Sequence, residues 1–151
     1  MKKIFKIILL LIIIIVLLSI YFCLFGNKKT LILHTASGAP LKYQVELALT
    51  PEAQQHGLMD RKKLHSKTGM LFLFTPNRVA HMWMKNTLIP LDMVFFNRHG
   101  QVILVHHNAI PQDETVISSI RPVAGVLEIN AGEAQKYGID TETKIDLKSI
   151  Q

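Results

Sequence analysis

The sequence predicts a β-dominated α+β fold: a small antiparallel, barrel-like sheet of about eight strands with two short helices, preceded by an N-terminal transmembrane helix. Three observations lead to this prediction. An apolar run spans Ile7–Phe25, strand-like segments follow one another through turns over the rest of the chain, and only two segments carry helix signals. Consecutive strands joined by turns pair in antiparallel fashion, and a sheet that closes on itself has no exposed edges.

The apolar run has the length of a membrane-spanning helix. As a helix, its roughly 19 residues would rise about 28 Å, close to the ~30 Å hydrocarbon core of a bilayer. Signal cleavage and lipid attachment to Cys23 both need small residues, whereas Leu24 and Phe22 stand at the relevant positions. We therefore expect an uncleaved anchor over Ile7–Phe25, with a cleaved signal and a lipid-modified Cys23 as alternatives.

The charges flanking the run indicate its orientation and account for the basic excess. Five of the 17 Lys and Arg residues lie there: Lys2, Lys3, Lys6, Lys28 and Lys29. Because more of them precede the run than follow it, the positive-inside rule predicts that the domain is exported to the extracytoplasmic side, periplasmic or extracellular. The rest of the chain keeps 12 basic against 11 acidic residues, so nucleic acid is not an expected partner.

The chain thus divides into an anchor and linker, residues 1–29, and one globular domain, residues 30–151. About 120 residues suffice for one domain with a real core and are too few for two. The single cysteine of the chain, Cys23, lies in the apolar run. The domain is therefore neither a disulfide scaffold nor a thiol enzyme.

The first third of the domain predicts two strands and a helix. Leu31–Thr35 is the first strand, and Leu41–Leu49 alternates apolar with more polar residues, which is typical of a half-buried strand. Thr50 is a suitable N-cap and Pro51 suits the first helical position. Gly57 ends this helix by adopting a positive φ.

Four strands are predicted in the middle of the domain: Met70–Phe74, Val79–Met84, Leu91–Phe96 and Gln101–His107. The first is apolar on both faces, as a buried strand would be. Lys85–Pro90 is expected to be an irregular loop, because Pro90 cannot donate a hydrogen bond within a central strand. The last two strands form a hairpin whose turn, residues 97–100, ends at Gly100.

The last third predicts three more strands: Val116–Ile120, Val126–Ile129 and Lys144–Leu147. A second short helix follows the middle one of these strands. Asn130 and Glu133 have the spacing of a capping box, with Asn130 as the N-cap, and Gly138 ends the helix.

Seven polar residues lie beside apolar segments and are the candidate ligand-binding residues: Arg61, Lys85, Asn86, Thr87, Asp92, Arg121 and Glu128. An unpaired buried charge is expensive, so these groups must pair, stay solvated or bind something. Three interpretations remain open. They are an ion-pair network joining Arg61 or Arg121 to Asp92 or Glu128, a ligand pocket, and acid–base catalysis by Asp92 or Glu128 with Lys85. We expect Lys85, Asn86, Thr87 and Asp92 to form one cluster.

A second candidate site is the sequence His81-Met82-Trp83-Met84, whose sulfur and imidazole groups are ligands that Cu(I) accepts. On a strand, however, His81 would face away from Met82 and Met84. Methionines at this spacing are more typical of core packing. No zinc-hydrolase or serine-nucleophile motif is present, and the sequence predicts no cofactor.

Four blocks of sequence carry a family resemblance: Gly57–Arg61, Gly69–Phe74, Trp83–Asp92 and Val126–Gly132. In order and spacing they resemble the domain of unknown function 192 family over about Leu31–Leu147. The resemblance implies a small, mostly β domain that is often exported or anchored, and it supplies no agreed activity. The function we predict is an accessory module, anchored in the lipid bilayer, that binds a small ligand or protein partner. The alternatives are Cu(I) handling and an enzyme using Lys85, Asp92 and Glu128.

Overall fold

Nine strands and three short helices make up residues 28–150 of the computed structural model, which describes residues 11–15 and 28–150. The strands are β1 (Lys28–His34), β2 (Leu41–Ala48), β3 (Thr68–Arg78), β4 (His81–Met82), β5 (Leu91–Phe96), β6 (Val102–Ala109), β7 (Ile117–Ser118), β8 (Val123–Asn130) and β9 (Lys144–Asp146). The helices are α1 (Pro51–His56), α2 (Glu133–Tyr137) and a 3₁₀ helix (Leu147–Ile150).

Seven of the strands form one curled sheet in the order β6-β5-β8-β3-β2-β1-β9. All neighbours pair antiparallel except β2 and β3, which are parallel and are joined by a crossover that contains α1. The curl brings the two ends of the sheet together at one corner. There Ile145 N donates to Gly100 O over 2.8 Å, and Gln101 bridges to Lys144. The result is a half-barrel.

Both faces of the sheet are covered by apolar clusters. Successive side chains of a strand point to opposite faces, so β5 contributes Val94 to one cluster and Met93 to the other. All six residues of β5 are buried. Its neighbour β8 is buried from Val123 to Ile129. Burial on both faces explains why the sequences of the central strands are continuously apolar and do not alternate between apolar and polar residues.

Most predicted strands are confirmed, including the hairpin of β5 and β6 with Gly100 at a φ of 77°. Two predictions are too long. The strand expected over Val79–Met84 is limited to the two residues of β4, and the one over Val116–Ile120 to the two residues of β7. These two strands pair only with each other in a separate sheet, so no central strand supports a longer ladder.

The first helix is confirmed and the cap of the second is wrong. In α1, Thr50 Oγ1 accepts from Ala53 N over 3.2 Å, with Pro51 at the first position. In α2 the N-cap is Gly132, at a φ of 80° and without a side-chain cap. Asn130 instead ends β8, where its side-chain amide donates to Leu64 O over 3.1 Å. Strand pairing of β8 therefore takes precedence over the local capping signal.

The predicted anchor falls mainly on residues for which no structure is described. Residues 11–15 are helical. Within residues 11–15 and 28–150, no helix combines the length and apolar character needed to cross a membrane. The rest of Ile7–Phe25, including Cys23, lies outside the described residues.

Candidate functional site

The candidate site contains a buried carboxylate, one oxygen of which has no hydrogen-bond partner among the described residues. Glu128 lies on β8 opposite Met70 of β3 and Met93 of β5, and it is only 4% exposed. Among the described residues, its Oε2 is the one fully buried side-chain oxygen or nitrogen without a hydrogen bond. Burial raises the pKa of Glu128 from 4.5 to about 8, because desolvation penalises the charged form. Such groups are normally satisfied in native proteins, so this one calls for an explanation.

Glu128 lies at the base of a cavity of about 40 Å³ between α1 and residues 81–87. Thr87, 5% exposed, lies beside it in the same lining. Gly57, the residue that ends α1, lies on the other side. A Cβ at Gly57 would be 3.3 Å from Phe72 Cζ and 3.9 Å from Glu128 Oε2. Gly57 and Glu128 therefore border the same narrow space.

Two larger cavities, of about 280 Å³ and 350 Å³, continue this space outward. Gln55 and Trp83 line all three cavities, so we call the whole feature the Trp83 cleft. Trp83 is 41% exposed, which is high for a large apolar side chain. Lys85 Nζ lies 5.7 Å from the centroid of its ring. The cleft thus combines an aromatic wall, half open to solvent, with a buried carboxylate.

The α1 side of the cleft is positioned by side-chain and backbone bonds. The Gln54 amide donates to Ala48 O over 3.2 Å and to Leu73 O over 2.9 Å, which ties α1 to β2 and β3. Gly57 has φ 53° and ψ −131°, a conformation that L side chains rarely adopt. Only a glycine turns the chain here at low cost, and its lack of a side chain leaves space next to Glu128.

The Trp83 side of the cleft is irregular backbone held by hydrogen bonds. Met84 N donates to Asp113 O, and Asp60 N donates to Asn86 O, each over 2.9 Å. Asn86 adopts a φ of 52° to make this turn. Trp83 is therefore presented to solvent by an anchored segment on the side facing α1.

Four of the seven sequence-predicted residues lie in this cleft. Thr87 and Glu128 line the innermost cavity, and Lys85 and Asn86 line the 350 Å³ cavity outside it. The expected loop over Lys85–Pro90 is confirmed.

Asp92 does not belong to this cluster, and the expectation of a single cluster is wrong. Asp92 pairs with Ile129 across β5 and β8, whereas Glu128 pairs with Met93, so the two carboxylates point to opposite faces of the sheet. The Asp92 side chain is fully buried. Its Oδ1 accepts from Asn108 N and its Oδ2 from Ala134 N, each over 2.9 Å. Asp92 fixes the start of α2 to the sheet.

The predicted ion-pair network is also wrong for the described residues. Arg61 pairs with Glu46 of β2, with Nη1 2.9 Å from Oε1 and Nη2 on Oε2. Arg121 is exposed in the loop between β7 and β8, where its N–H donates to Ser119 O. Within the described chain, neither arginine forms an ion pair with Asp92 or Glu128.

Of the three Cu(I) candidates, His81 and Met82 both line the cleft and Met84 does not. Met84 is 1% exposed and packs in the apolar cluster on the Glu128 face, against which Met82 also packs. His81 is exposed and lines the cleft. No group of three or more His, Cys, Asp or Glu side chains suited to a metal ion occurs in the described part of the chain.

A larger cavity of about 480 Å³ lies at the corner where the sheet closes. Its basic lining residues are all exposed: His34, Arg98, His99, Lys144 and Lys148. Solvated side chains of this kind need no bound partner. The unpartnered oxygen of Glu128 therefore makes the Trp83 cleft the better candidate.

Several lining residues were not among the sequence-predicted candidates, notably Gln55, Gly57, Met59 and Phe72. The sequence contained a signal for Gly57, Met59 and Phe72, because all four blocks that resemble the family contribute residues to this cleft. The first supplies Gly57 and Met59, the second Phe72, the third Trp83 to Thr87, and the fourth Glu128. Their convergence could be seen only in the folded sheet.

The family model for DUF192, domain of unknown function 192, described as "Uncharacterized ACR", matches residues 32–147. The chain belongs to the domain of unknown function 192 family. Two solved structures resemble this DUF192 chain. One is a Sinorhizobium meliloti 1021 protein provisionally described as a transcription regulator, with 42% identity and a TM-score of 0.77 over 79% of this chain and 92% of that one. The other is a protein of unknown function from Novosphingobium aromaticivorans DSM 12444, with 38% identity and a TM-score of 0.76 over 79% of this chain and 84% of that one. No curated protein gives a significant match to the DUF192 chain.

Proposed function

We propose that this DUF192 protein is a binding module that holds a small molecule in the Trp83 cleft. One observation supports the proposal above all others: Glu128 is buried, its Oε2 has no hydrogen-bond partner among the described residues, and it borders a cavity of about 40 Å³. A polar group kept in this state lowers stability, and a ligand that donates to it would remove that cost. Binding sites are commonly concave, with mostly apolar walls and a few polar groups.

The exposed ring of Trp83 supports the same proposal. A large aromatic side chain that is 41% exposed beside a cavity offers a flat apolar surface to a ligand. The wall is held by backbone hydrogen bonds, so little conformational freedom would be lost on binding. Both features are typical of a preformed site.

Two other functions receive less support. The catalytic set of Lys85, Asp92 and Glu128 is not assembled, because Asp92 faces the other side of the sheet. The Sinorhizobium meliloti relative is described as a transcription regulator. Residues 30–151 of this chain nevertheless carry 12 basic against 11 acidic residues, which gives no excess charge to follow a phosphate backbone.

We also propose that the module is anchored in the bilayer through Ile7–Phe25, with the domain on the extracytoplasmic side. The support is the length and apolar character of that run and the distribution of its flanking lysines. Because β1 begins at Lys28, the linker between the run and the sheet would be only a few residues long.

The test is a ligand screen on the purified full-length chain, with amines, carboxylic acids, alcohols and sugars as probes. A ligand at 100 times its Kd stabilises the folded state by about 2.7 kcal/mol, which a thermal midpoint detects. We expect one chemical class to raise the midpoint of the wild type, and W83A to abolish the effect. The matched control is L88A, which truncates another exposed residue of the same loop, 43% exposed. Stabilisation by no class, or stabilisation that W83A retains, would overturn the proposal.

A further inference from the structure

We propose that the Trp83 cleft takes a ligand with a primary ammonium group, which donates to Glu128 Oε2 while the rest of the ligand lies against Trp83. This inference rests on the proposed function and adds the chemical class of the ligand. The acceptor, the innermost cavity and the aromatic wall support it.

The acceptor is available only to a donor from outside the described chain. Within residues 28–150, no Lys or Arg forms an ion pair with Glu128, and no side chain donates to its Oε2. The hydroxyl of Thr87, in the same lining, donates to Lys85 O over 3.2 Å. A buried carboxylate is best satisfied by a charged donor, because charge-assisted hydrogen bonds are about twice as strong as neutral ones.

The innermost cavity has room for a small group beside Glu128. Its volume of about 40 Å³ accommodates a group of the size of a water molecule, and a single ammonium group is of that size. The adjoining cavities of about 280 Å³ and 350 Å³ have room for the body of the ligand.

The aromatic wall favours the same charge. Trp83 attracts cations through its ring face, and Lys85 Nζ already lies 5.7 Å from the ring centroid. The outer cavities are mixed in charge, with Glu52 and Lys85 lining one and Arg78 the other. The ring and the carboxylate are thus the features that favour a cation near the base of the cleft.

Binding of an ammonium group should change the protonation of Glu128, and the affinity should therefore depend on pH. The free carboxyl, with a pKa of about 8, is mostly protonated at pH 7, and an ammonium needs it ionised. Binding at pH 7 therefore releases a proton to the buffer, and affinity rises with pH toward 8. A carbonyl or ether ligand would accept from the protonated carboxyl and would bind more weakly as pH rises. His56 and His81 face the same cavity, so both are replaced by glutamine in a parallel pH series.

The experiment compares hexylamine with hexanol and hexanoic acid on the full-length chain, using the fluorescence of Trp83, the single tryptophan, and the thermal midpoint. We expect the amine to bind at least tenfold more tightly than the alcohol or the acid. Its affinity should rise by up to about tenfold per pH unit between pH 6 and 8, in the wild type and in the histidine variants. E128Q should weaken amine binding at least tenfold, whereas the exposed control E114Q should leave it unchanged.

The possible failures are distinguishable. Binding of the alcohol or the acid that W83A abolishes would overturn the ammonium inference and leave the binding module in place. Amine binding that is unchanged in E128Q, or that weakens as pH rises toward 8, would also overturn the inference. Absence of binding by any probe of the broader screen would overturn the proposed function together with the inference. The pH series uses wild-type side chains at position 128, so it decides the matter even if E128Q fails to fold.

Discussion

Asp92 and Glu128 lie on adjacent strands, one register position apart, and therefore point to opposite faces of the same sheet. Both are buried acids, but their surroundings differ. Asp92 accepts two backbone hydrogen bonds, whereas the Oε2 of Glu128 accepts none. The first carboxylate is a structural connection between β5, β6 and α2, and the second is the one that we propose as the acceptor for a ligand. This difference leads to opposite expectations for their neutral variants.

Replacing Asp92 should destabilise the domain. Asparagine offers one acceptor where two backbone N–H groups, of Asn108 and Ala134, need partners, and a buried unsatisfied donor costs about 1–3 kcal/mol. We expect D92N to lower the free energy of unfolding by that amount and D92A by more. Urea midpoints measure both, with the exposed D60N as the control. A neutral D92N would show that Asp92 does not hold α2.

Replacing Glu128 should remove a pH dependence of the free energy of unfolding. A carboxyl whose pKa rises from 4.5 to about 8 on folding binds a proton more tightly in the folded state. Its contribution to stability is therefore fully present below pH 4.5 and is lost as pH rises toward 8, by at most about 1.4 kcal/mol per pH unit. E128Q should be close to wild type at pH 4.5 and more stable at pH 8.

Chemical denaturation at several pH values tests this expectation, with E114Q as a control that keeps the wild-type slope. Equal pH slopes for wild type and E128Q would contradict the assignment of a raised pKa to Glu128.

A side chain at position 57 should both strain the backbone and obstruct the cleft. G57A places a Cβ 3.3 Å from Phe72 Cζ at a φ of 53°, so we expect a loss of about 1 kcal/mol or more. G138A is the matched control, because Gly138 also has a positive φ of 64° but has nothing within 4 Å of its Cβ position. Both variants should be destabilised, and only G57A should weaken ligand binding at Trp83. Equal binding by the two variants would place the ligand elsewhere.

The two methionines around Trp83 should behave as packing residues. Both pack against the apolar cluster on the Glu128 face, and leucine roughly conserves their volume. We expect the double variant M82L/M84L to cost less than about 1.5 kcal/mol per site and to remain folded. Cu(I) titration followed by Trp83 fluorescence is the second measurement. Submicromolar Cu(I) binding that disappears in the double variant would restore the metal hypothesis.

The anchor prediction is tested on cell fractions. An uncleaved run over Ile7–Phe25 should keep the full-length chain in the membrane pellet after alkaline extraction, because about 19 apolar residues suffice to span the hydrocarbon core. Mass spectrometry of the extracted protein should find Met1–Phe25 intact. A mature N-terminus near Asn27 would instead indicate a cleaved signal.

The features that the sequence determined by itself are those set by neighbouring residues. Thr50, Pro51 and Gly57 start and end α1 as predicted, because caps and turns act within one helical turn. Gly100 closes the β5–β6 hairpin for the same reason. The alternation of β2 buries Tyr43 and Val45, as its pattern indicates.

The tertiary structure alone decided which side chains meet. The face on which Asp92 or Glu128 lies depends on the pairing of β5 with β8, about 35 residues apart in sequence, and no local pattern reports that register. Likewise, Asn130 has the local signal of a helix cap, but pairing with Leu91 holds it at the end of β8. The Trp83 cleft arises in the same way. Its residues come from four separate segments, and only the folded chain brings Gly57, Trp83 and Glu128 around one cavity.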